Sequence, residues 1–312
     1  MSEKEFGNFK IEKASILISD LRGFTYFSEK HSALEVVNLL NRYFNLMIPI
    51  IIKYDGVVDK LIGDSILAIF KYNNTDINNV LACAIEMQNV MKKVNDANRE
   101  LGLSNIHMGI GINTGDVAIG HLGNESHSEY TAIGNEVNLA SRVEAYSMRG
   151  QVLLSDNSYN ICKENVQVGS SYDVHPKGTL RPLKIYELLE VEKPEKLILD
   201  VENDRSEPRI NVDMLINYRL IDKAKILSEV FEGQTLDVSY NGLKLKSINK
   251  LEPLSEVAIE VTSSIFGTEK SSVYARVKHS TFEDGYYISG LVFTVIDDTA
   301  LASMKAFIDG AI

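Results

Sequence analysis

Two aspartates lie at the ends of predicted strands near the start of the chain. Asp20 follows the apolar run 14–19, and Asp64 lies at the tip of a hairpin predicted from the runs 57–60 and 65–70. Carboxylate oxygens are ligands that Mg2+ and Mn2+ prefer. At neighbouring strand edges, two carboxylates could hold two ions about 3.5–4 Å apart, the arrangement of in-line phosphoryl displacement. The pair is therefore a candidate metal site for phosphate chemistry.

The residues after Asp20 suit the phosphate itself. Gly23, Phe24 and Thr25 follow the first strand, where a helix is predicted to begin. Backbone N–H groups in the first turn of a helix lack partners within the helix and bind anions. We therefore expect phosphate oxygens beside the aspartates. Because a lone aspartate at a strand end is more often a helix cap, this interpretation needs both Asp20 and Asp64.

Periodic apolar positions place these residues in an α+β domain. Helices are predicted at 33–54, at 77–101 behind the N-cap Asp76, and at 136–146; strands are predicted at 14–20, 57–60, 65–70 and 150–155, and a second hairpin from 106–113 and 116–120 around Thr114-Gly115. This order indicates a sandwich with helices over one face of a mostly antiparallel sheet.

The second half of the chain has a different pattern. The segment 190–208 is charged and contains two prolines without a sustained period, so we place a linker at 190–204, between domains at 1–189 and 205–312. Short strands are predicted at 212–220, 243–247, 256–262, 272–280 and 286–295, with a final helix at 299–308. Several short strands close together are typical of a small β-barrel.

Composition argues against several classes of partner. A net charge of −11 over 312 residues disfavours a nucleic-acid-binding surface, which needs an excess of Lys and Arg. No apolar run approaches the ~20 residues of a membrane span, and no apolar leader is present, so we expect no membrane partner and a cytoplasmic location. Cys83 and Cys162 lack metal-ligand spacing and are expected to be buried apolar residues.

A second group of polar residues begins the second domain. Arg205 and Arg209 lie four residues apart in a segment that contains proline. Planar guanidinium groups bind phosphate oxygens or the O6 and N7 edge of guanine. Asp237, Ser239 and Gly242 follow in a predicted turn with side-chain acceptors. Taken separately, these features are typical of a basic linker and an ordinary Asx turn.

Four segments of the first domain resemble the class III nucleotidyl cyclases. They are ISDLRGFT (18–25), KLIGD (60–64), GIGINTGDVAIGHLG (109–123) and YTAIGNEVNLASR (130–142), in the order and spacing of that family. The resemblance covers residues 14 to about 189. It implies the ferredoxin-like α/β sandwich of these enzymes and the cyclisation of a nucleoside triphosphate.

The resemblance also implies a role for each matching residue. Asp20 and Asp64 would hold two Mg2+ or Mn2+ ions per active site. Asn138 would orient the ribose, and Arg142, one helical turn further, would balance charge in the transition state. Lys177, in a segment that diverges more from the family, would bind phosphate.

Base choice is expected to depend on Lys60 and Thr131. Family members that use ATP carry Lys at the first position and Asp or Thr at the second, whereas those that use GTP typically carry Glu and Cys. A Lys ammonium group only donates hydrogen bonds, which suits the acceptor N1 of adenine. ATP is therefore favoured. Thr131 discriminates less than Asp, because a hydroxyl group either donates or accepts.

In this family the two metal ligands come from one subunit, and the base, ribose and transition-state residues come from its partner. One complete set of residues in a single chain thus implies a homodimer with two equivalent sites. Two alternatives stay open at this point. One is a guanylate cyclase, and the other is a non-catalytic signalling scaffold that binds nucleotide.

The second group of polar residues resembles the PilZ family. The RxxxR motif of Arg205 and Arg209, followed within a small barrel by the DxSxxG motif of Asp237, Ser239 and Gly242, carries this resemblance over residues 205–310. It implies cyclic di-GMP as ligand, with these five residues as contacts. The sequence thus predicts an adenylate cyclase regulated by cyclic di-GMP. The sign of regulation depends on which arrangement the ligand prefers.

Overall fold

The computed structural model describes residues 9–73, 75–103, 105–124, 126–174, 182–200, 209–222, 225–261, 271–296 and 298–310. The chain divides into two compact units, residues 1–202 and residues 203–312. No helix among the described residues is both long enough and apolar enough to cross a membrane.

The N-terminal unit is built on one mixed sheet. Its strands are β1 (Lys10–Arg22), β2 (Val57–Ile62), β3 (Ser65–Lys71), β4 (His107–Gly123), β5 (Ser128–Ile133), β6 (Val152–Ser155), β7 (Val166–Val174), β8 (Leu183–Val191) and β9 (Leu197–Ile198). The order is β2-β3-β1-β4-β6-β8-β7, with β5 paired to β4 and β9 to β8. Only the β4–β6 pair is parallel among the described strands.

Helices cover both faces of this sheet. They are α1 (Phe24–Lys30), α2 (Ala33–Lys53), α3 (Ile77–Glu100), α4 (Asn135–Tyr146) and α5 (Asp156–Cys162). Alternation along β1 sends Leu17 into the core beneath α2 and α3, whereas Ile16 and Ile18 share a second cluster with Ala140 of α4. The expectation of helices over one face is therefore wrong for α4, which packs on the opposite face.

Strand β4 corrects a second expectation. The hairpin predicted around Thr114-Gly115 is one continuous strand, paired with β1 from His107 to Ile119. Gly115 serves close packing, because a Cβ there would lie 2.7 Å from a carboxylate oxygen of Glu136. The hairpin of this region instead joins β4 to β5.

The start of the segment expected to be a linker contains ordered structure. Strand β8 continues to Val191, and β9 pairs with it. Leu199 is buried in the core beneath α2 and α3. Residues 190–200 therefore pack as part of the N-terminal unit.

The C-terminal unit is a closed barrel. Its strands are β10 (Ile210–Asp222), β11 (Lys225–Ile226), β12 (Phe231–Ser239), β13 (Gly242–Ser247), β14 (Glu256–Val261), β15 (Ser271–Glu283) and β16 (Tyr286–Ile296), followed by α6 (Asp298–Asp309). Six of them close in the order β10-β12-β13-β16-β15-β14, because β14 also pairs with β10. Helix α6 contributes Ala300, Met304 and Ile308 to the core. The sequence predicted the barrel but missed β12.

Candidate active site and candidate ligand-binding face

The structure brings Asp20 and Asp64 together. Asp20 lies near the end of β1, and Asp64 lies in the turn between β2 and β3. A carboxylate oxygen of Asp64 accepts a hydrogen bond from the backbone N–H of Leu21 at 3.1 Å, and the Ser65 hydroxyl donates to Asp20. Burial and the charge of Asp20 raise the pKa of Asp64 to about 6.

This carboxylate pair suits a divalent cation. Two partly buried carboxylates repel each other, and a cation between them would remove that repulsion. In the described part of the chain, no group of three or more His, Cys, Asp or Glu side chains is arranged to hold a metal ion. An ion at Asp20 and Asp64 therefore needs further oxygen ligands, which phosphate groups and water can supply.

Arg22 links Asp20 to α4. One guanidinium nitrogen lies 2.9 Å from a carboxylate oxygen of Asp20. The other donates to the Glu144 side chain, to the Glu144 carbonyl at 2.9 Å and to Ser147 Oγ at 2.7 Å. A Cβ at Gly109 would overlap both Arg22 and Ser147, so the glycine makes room for this link. The sequence motif placed Arg22 beside Asp20 but did not reveal its contact with α4.

Lys60 and Thr131 also come together, although β2 and β5 are not paired. Lys60 Nζ donates to Thr131 Oγ1 at 3.2 Å. Asp59 accepts a hydrogen bond from the Thr131 hydroxyl at 2.9 Å, and Lys60 lies 3.5 Å from Glu129. We call these four residues the Lys60 cluster. Among the described residues, no hydrogen bond or ion pair joins it to Asp20 or Asp64.

Asn138 and Arg142 lie one turn apart on α4. Asn138 is exposed and Arg142 is half-buried. Within the described ranges, neither side chain makes a hydrogen bond or ion pair to another residue. Both are therefore available to a ligand.

The structure describes some of the residues expected to bind phosphate. Gly23 is the N-cap of α1 with φ +80°, a conformation that favours glycine. Phe24 begins α1 and packs its ring against the core, so its backbone N–H, like that of Thr25, is what the first turn offers to an anion. Lys177 lies outside the described residues.

On the barrel, the structure joins Arg209 to Asp237. The guanidinium group lies 2.9 Å from the carboxylate, and Lys244 lies 3.4 Å from its other oxygen. Ser239 Oγ donates to the carbonyl of Gly242 at 3.2 Å. A Cβ at Gly242 would overlap the Leu291 carbonyl, which explains the glycine.

Three of the expected barrel positions need comment. Asp237 and Ser239 belong to β12 and not to a free turn, and the backbone turns only between Ser239 and Gly242. Arg205 lies outside the described residues.

The barrel face carries two further residues, Lys244 and His279, that sequence reasoning missed. Lys244 pairs with Asp237 across β12 and β13, and His279 pairs with Gly290 across β15 and β16. Burial and the charges of Lys278, Lys244 and Arg209 lower the pKa of His279. The face is thus electropositive around Asp237. Strand register is what brings these residues together, and no sequence motif marks it.

Comparison with known proteins identifies relatives of both units. The sequence model of the family described as "Adenylate and Guanylate cyclase catalytic domain" matches residues 8–190, and that of the PilZ domain matches residues 203–310. An adenylate cyclase of Anabaena cylindrica is 40% identical over 144 residues, 45% of this chain and 28% of the relative. Adenylate cyclase 1 of Rhizobium meliloti is 30% identical over 185 residues, 58% of this chain and 28% of the relative. The chain thus spans less than a third of these curated relatives.

Solved structures resemble the N-terminal unit. The guanylyl cyclase Cya2 is 37% identical with a TM-score of 0.59, and the match covers 61% of this chain and 98% of that one. The adenylyl cyclase CyaB from P. aeruginosa is 33% identical with a TM-score of 0.57, covering 60% and 98%. These matches confirm the predicted α/β sandwich.

Proposed function

The chain belongs to the family of adenylate and guanylate cyclase catalytic domains, and from that premise we propose that it converts ATP into 3′,5′-cyclic AMP and pyrophosphate. The observation that carries the choice of ATP is the contact between Lys60 and Thr131, 3.2 Å apart. This pair offers a donor for adenine N1 beside a hydroxyl group for adenine N6. GTP would instead present a protonated N1 to the Lys60 ammonium group, which has no acceptor.

A guanylate cyclase is the competing enzyme. The similarity to the guanylyl cyclase Cya2 is as high as that to the adenylyl cyclase CyaB, so overall similarity does not favour one base. The proposal of ATP therefore rests on the side chains at positions 60 and 131.

The chain's own residues divide into two groups in the proposed mechanism. Asp20 and Asp64 would hold divalent ions, two per site, either Mg2+ or Mn2+. When bound, such ions would make the ribose 3′-hydroxyl more acidic and would neutralise the pyrophosphate leaving group. Backbone N–H groups of Gly23 to Thr25 bind the triphosphate.

The second group acts on the sugar and the reacting phosphate. Asn138 fixes the ribose so that its 3′-oxygen is aligned with the α-phosphate, and the Arg142 guanidinium stabilises the charge that develops there. Lys177 binds a phosphate oxygen. Because no hydrogen bond or ion pair joins the Lys60 cluster to Asp20 or Asp64 among the described residues, we propose that each site combines the two aspartates of one copy with Lys60, Thr131, Asn138 and Arg142 of a second copy.

For the barrel we propose binding of cyclic di-GMP. The PilZ match and the electropositive face of Arg209 and Lys244 support a ligand with two phosphates. Arg205, Asp237, Ser239 and Gly242 complete the proposed contacts. Binding changes cyclase activity to the extent that the ligand prefers one arrangement of the chain over another.

One assay tests these proposals together. The purified chain is incubated with ATP or GTP and with Mg2+ or Mn2+, with and without cyclic di-GMP, and the cyclic nucleotide is quantified. We expect cyclic AMP as the main product and a rate that responds to cyclic di-GMP. If the parent forms no more cyclic nucleotide than the background of Asp64→Ala, the aspartates do not catalyse, and a nucleotide-binding scaffold explains the chain better.

A further inference from the structure

Thr131 poses a problem of base selection. A hydroxyl group donates one hydrogen bond and accepts two, so it can meet either the amino group at C6 of adenine or the carbonyl oxygen O6 of guanine. Thr131 by itself therefore does not favour ATP. What decides its preference is where its single proton points.

In the structure the Thr131 hydroxyl proton points toward the Asp59 carboxylate. Thr131 Oγ1 donates to a carboxylate oxygen of Asp59 at 2.9 Å, and an ionised carboxylate only accepts hydrogen bonds. Lys60 Nζ donates to the same hydroxyl at 3.2 Å. The Thr131 hydroxyl is thus left with one lone pair and no proton for a ligand. It can receive the adenine amino group, whereas guanine O6 would face it lone pair to lone pair.

A break in strand pairing allows this contact. Neighbouring side chains of a regular strand point to opposite faces, yet Asp59 and Lys60 both contact Thr131. Between Val58 and Lys60 the register of β2 against β3 shifts, so that Asp59 is the extra residue of a β-bulge. A bulge re-aims side chains and brings consecutive residues toward one face.

The burial of Asp59 is costly and therefore calls for an explanation. Its side chain is only 1% exposed, and its second carboxylate oxygen is buried without a hydrogen-bond partner among the described residues. Burial raises the pKa of Asp59, while the hydrogen bond from Thr131 and the charge of Lys60, 3.4 Å away, oppose that rise. A buried, half-satisfied carboxylate destabilises a fold, so a role for it in the site is expected.

We propose that Asp59 is a positioning residue that makes Thr131 an obligatory hydrogen-bond acceptor and thereby selects adenine over guanine. The inference rests on the proposed function, because it assumes that the Lys60 cluster binds the base. It adds a third residue to base selection, one that does not touch the nucleotide. Lys60 keeps a donor for adenine N1, because its exposed contact with Glu129, at 3.5 Å, is the easiest to exchange.

Two variants at position 59 test the proposal. In Asp59→Asn the amide can donate to Thr131, and in Asp59→Leu no acceptor remains, so in both the Thr131 proton becomes available to guanine O6. We expect the ratio of kcat/KM for ATP to that for GTP to fall by about tenfold or more, the scale of one misplaced hydrogen bond. Because the ratio compares two substrates on one preparation, a partly unfolded variant does not change it.

A second change separates positioning from general damage. Asp at position 131 accepts hydrogen bonds whatever its neighbour, so Asp59→Asn combined with Thr131→Asp should regain the preference for ATP. The matched control is Asp96→Asn in α3, the same substitution at an exposed carboxylate that pairs with Arg99 and lies outside the Lys60 cluster. It should leave the ratio unchanged.

Two results would overturn the inference: an unchanged ratio in both Asp59 variants, or failure of Thr131→Asp to restore it. Failure of the proposed function is distinguishable from either. If the parent chain forms no cyclic nucleotide, binding of 3′-deoxyATP and 3′-deoxyGTP, which lack the attacking hydroxyl, is measured by calorimetry. The parent should then prefer the adenine nucleotide and the Asp59 variants should lose that preference, whereas equal preference in all of them refutes the role of Asp59.

Discussion

At the scale of single residues, the side chains of the candidate sites carry charges and hydrogen-bonding groups that the surrounding residues satisfy only in part. Asp64 is partly buried and is repelled by the charge of Asp20, and its carboxylate accepts a hydrogen bond from the backbone N–H of Leu21. Arg209 faces solvent on one side and Asp237 on the other. In each case a ligand of opposite charge would complete the set of contacts. Substitution of these residues should therefore affect ligand binding and the free energy of unfolding to different extents.

Removing the charge of Asp64 should stabilise the metal-free protein. Its pKa of about 6 in the folded state lies above the ordinary value of 3.8, so its contribution to stability is present at low pH and is lost as the pH rises through 6. At pH 8 with a chelator, Asp64→Asn should raise the free energy of unfolding by about 1–2 kcal/mol, after allowance for partial exposure.

Urea unfolding measures this effect, and the same experiment at pH 4 is the control, where the gain should vanish. Added Mg2+ should stabilise the parent but not the variant. A free energy of unfolding that is lower for Asp64→Asn than for the parent at pH 8 would mean that the two carboxylates do not repel each other.

Loss of Arg209 should weaken binding to the barrel without unfolding it. We expect Arg209→Ala to bind cyclic di-GMP about 100-fold more weakly, since a charge-assisted hydrogen bond contributes about 2–3 kcal/mol. The matched control is Arg219→Ala in β10, the strand that follows Arg209, where the guanidinium group pairs with Glu260. Calorimetric titration should show near-normal affinity for the control, and equal loss in both variants would refute the assignment.

Residue identities were the part of the sites that could be predicted, because short motifs carry them. Asp20 with Asp64, and Lys60 with Thr131, were expected together and are found together. Asp59 could not be predicted, since its role depends on a β-bulge that no residue type announces.

At the scale of elements, the sequence was most informative where a periodic pattern was long. Helix α3 was expected behind Asp76, and that carboxylate accepts from the backbone N–H groups of Asn78 and Asn79. Strand β4 was misinterpreted because Thr114-Gly115 has the composition of a turn, whereas the glycine serves contact with Glu136. Strand β12 was missed for a similar reason: polar residues typical of turns are held there by pairing with β10 and β13.

The packing of α4 against β4 should be sensitive to one added methyl group. A Cβ at Gly111 would overlap the backbone nitrogen and Cα of Glu144, so Gly111→Ala must push the helix outward. We expect a loss of about 2–3 kcal/mol in the free energy of unfolding, as for other overpacked sites. The rate of cyclic nucleotide formation should also fall, and by more than the loss of folded protein explains, because Asn138 and Arg142 are carried by the same helix.

The matched control is Gly169→Ala in β7. A Cβ there meets the side chain of Leu189 first, at 3.1 Å, and that side chain can move aside. Its cost in urea unfolding should stay below about 1 kcal/mol. Equal costs for the two substitutions would show that α4 does not depend on the glycine contact.

At the scale of the whole molecule, the chain carries two half-sites that belong to different active sites in our proposal. The carboxylate pair of Asp20 and Asp64 makes no hydrogen bond or ion pair with the Lys60 cluster within the described residues. A two-fold dimer would unite them twice, once at each site. The family resemblance indicated this division, but a single chain holds no information on which surface meets the second copy.

Complementation between two inactive variants tests this central claim most directly. Asp64→Ala removes a residue from one half-site, and Arg142→Ala removes a residue from the other, so each variant alone should be inactive. Co-expressed in equal amounts, half of the dimers should be mixed and carry one intact site of two, which predicts about a quarter of the parent's cyclic AMP formation. A mixture as inactive as its separate components, although mixed dimers form, would contradict a site shared between two chains.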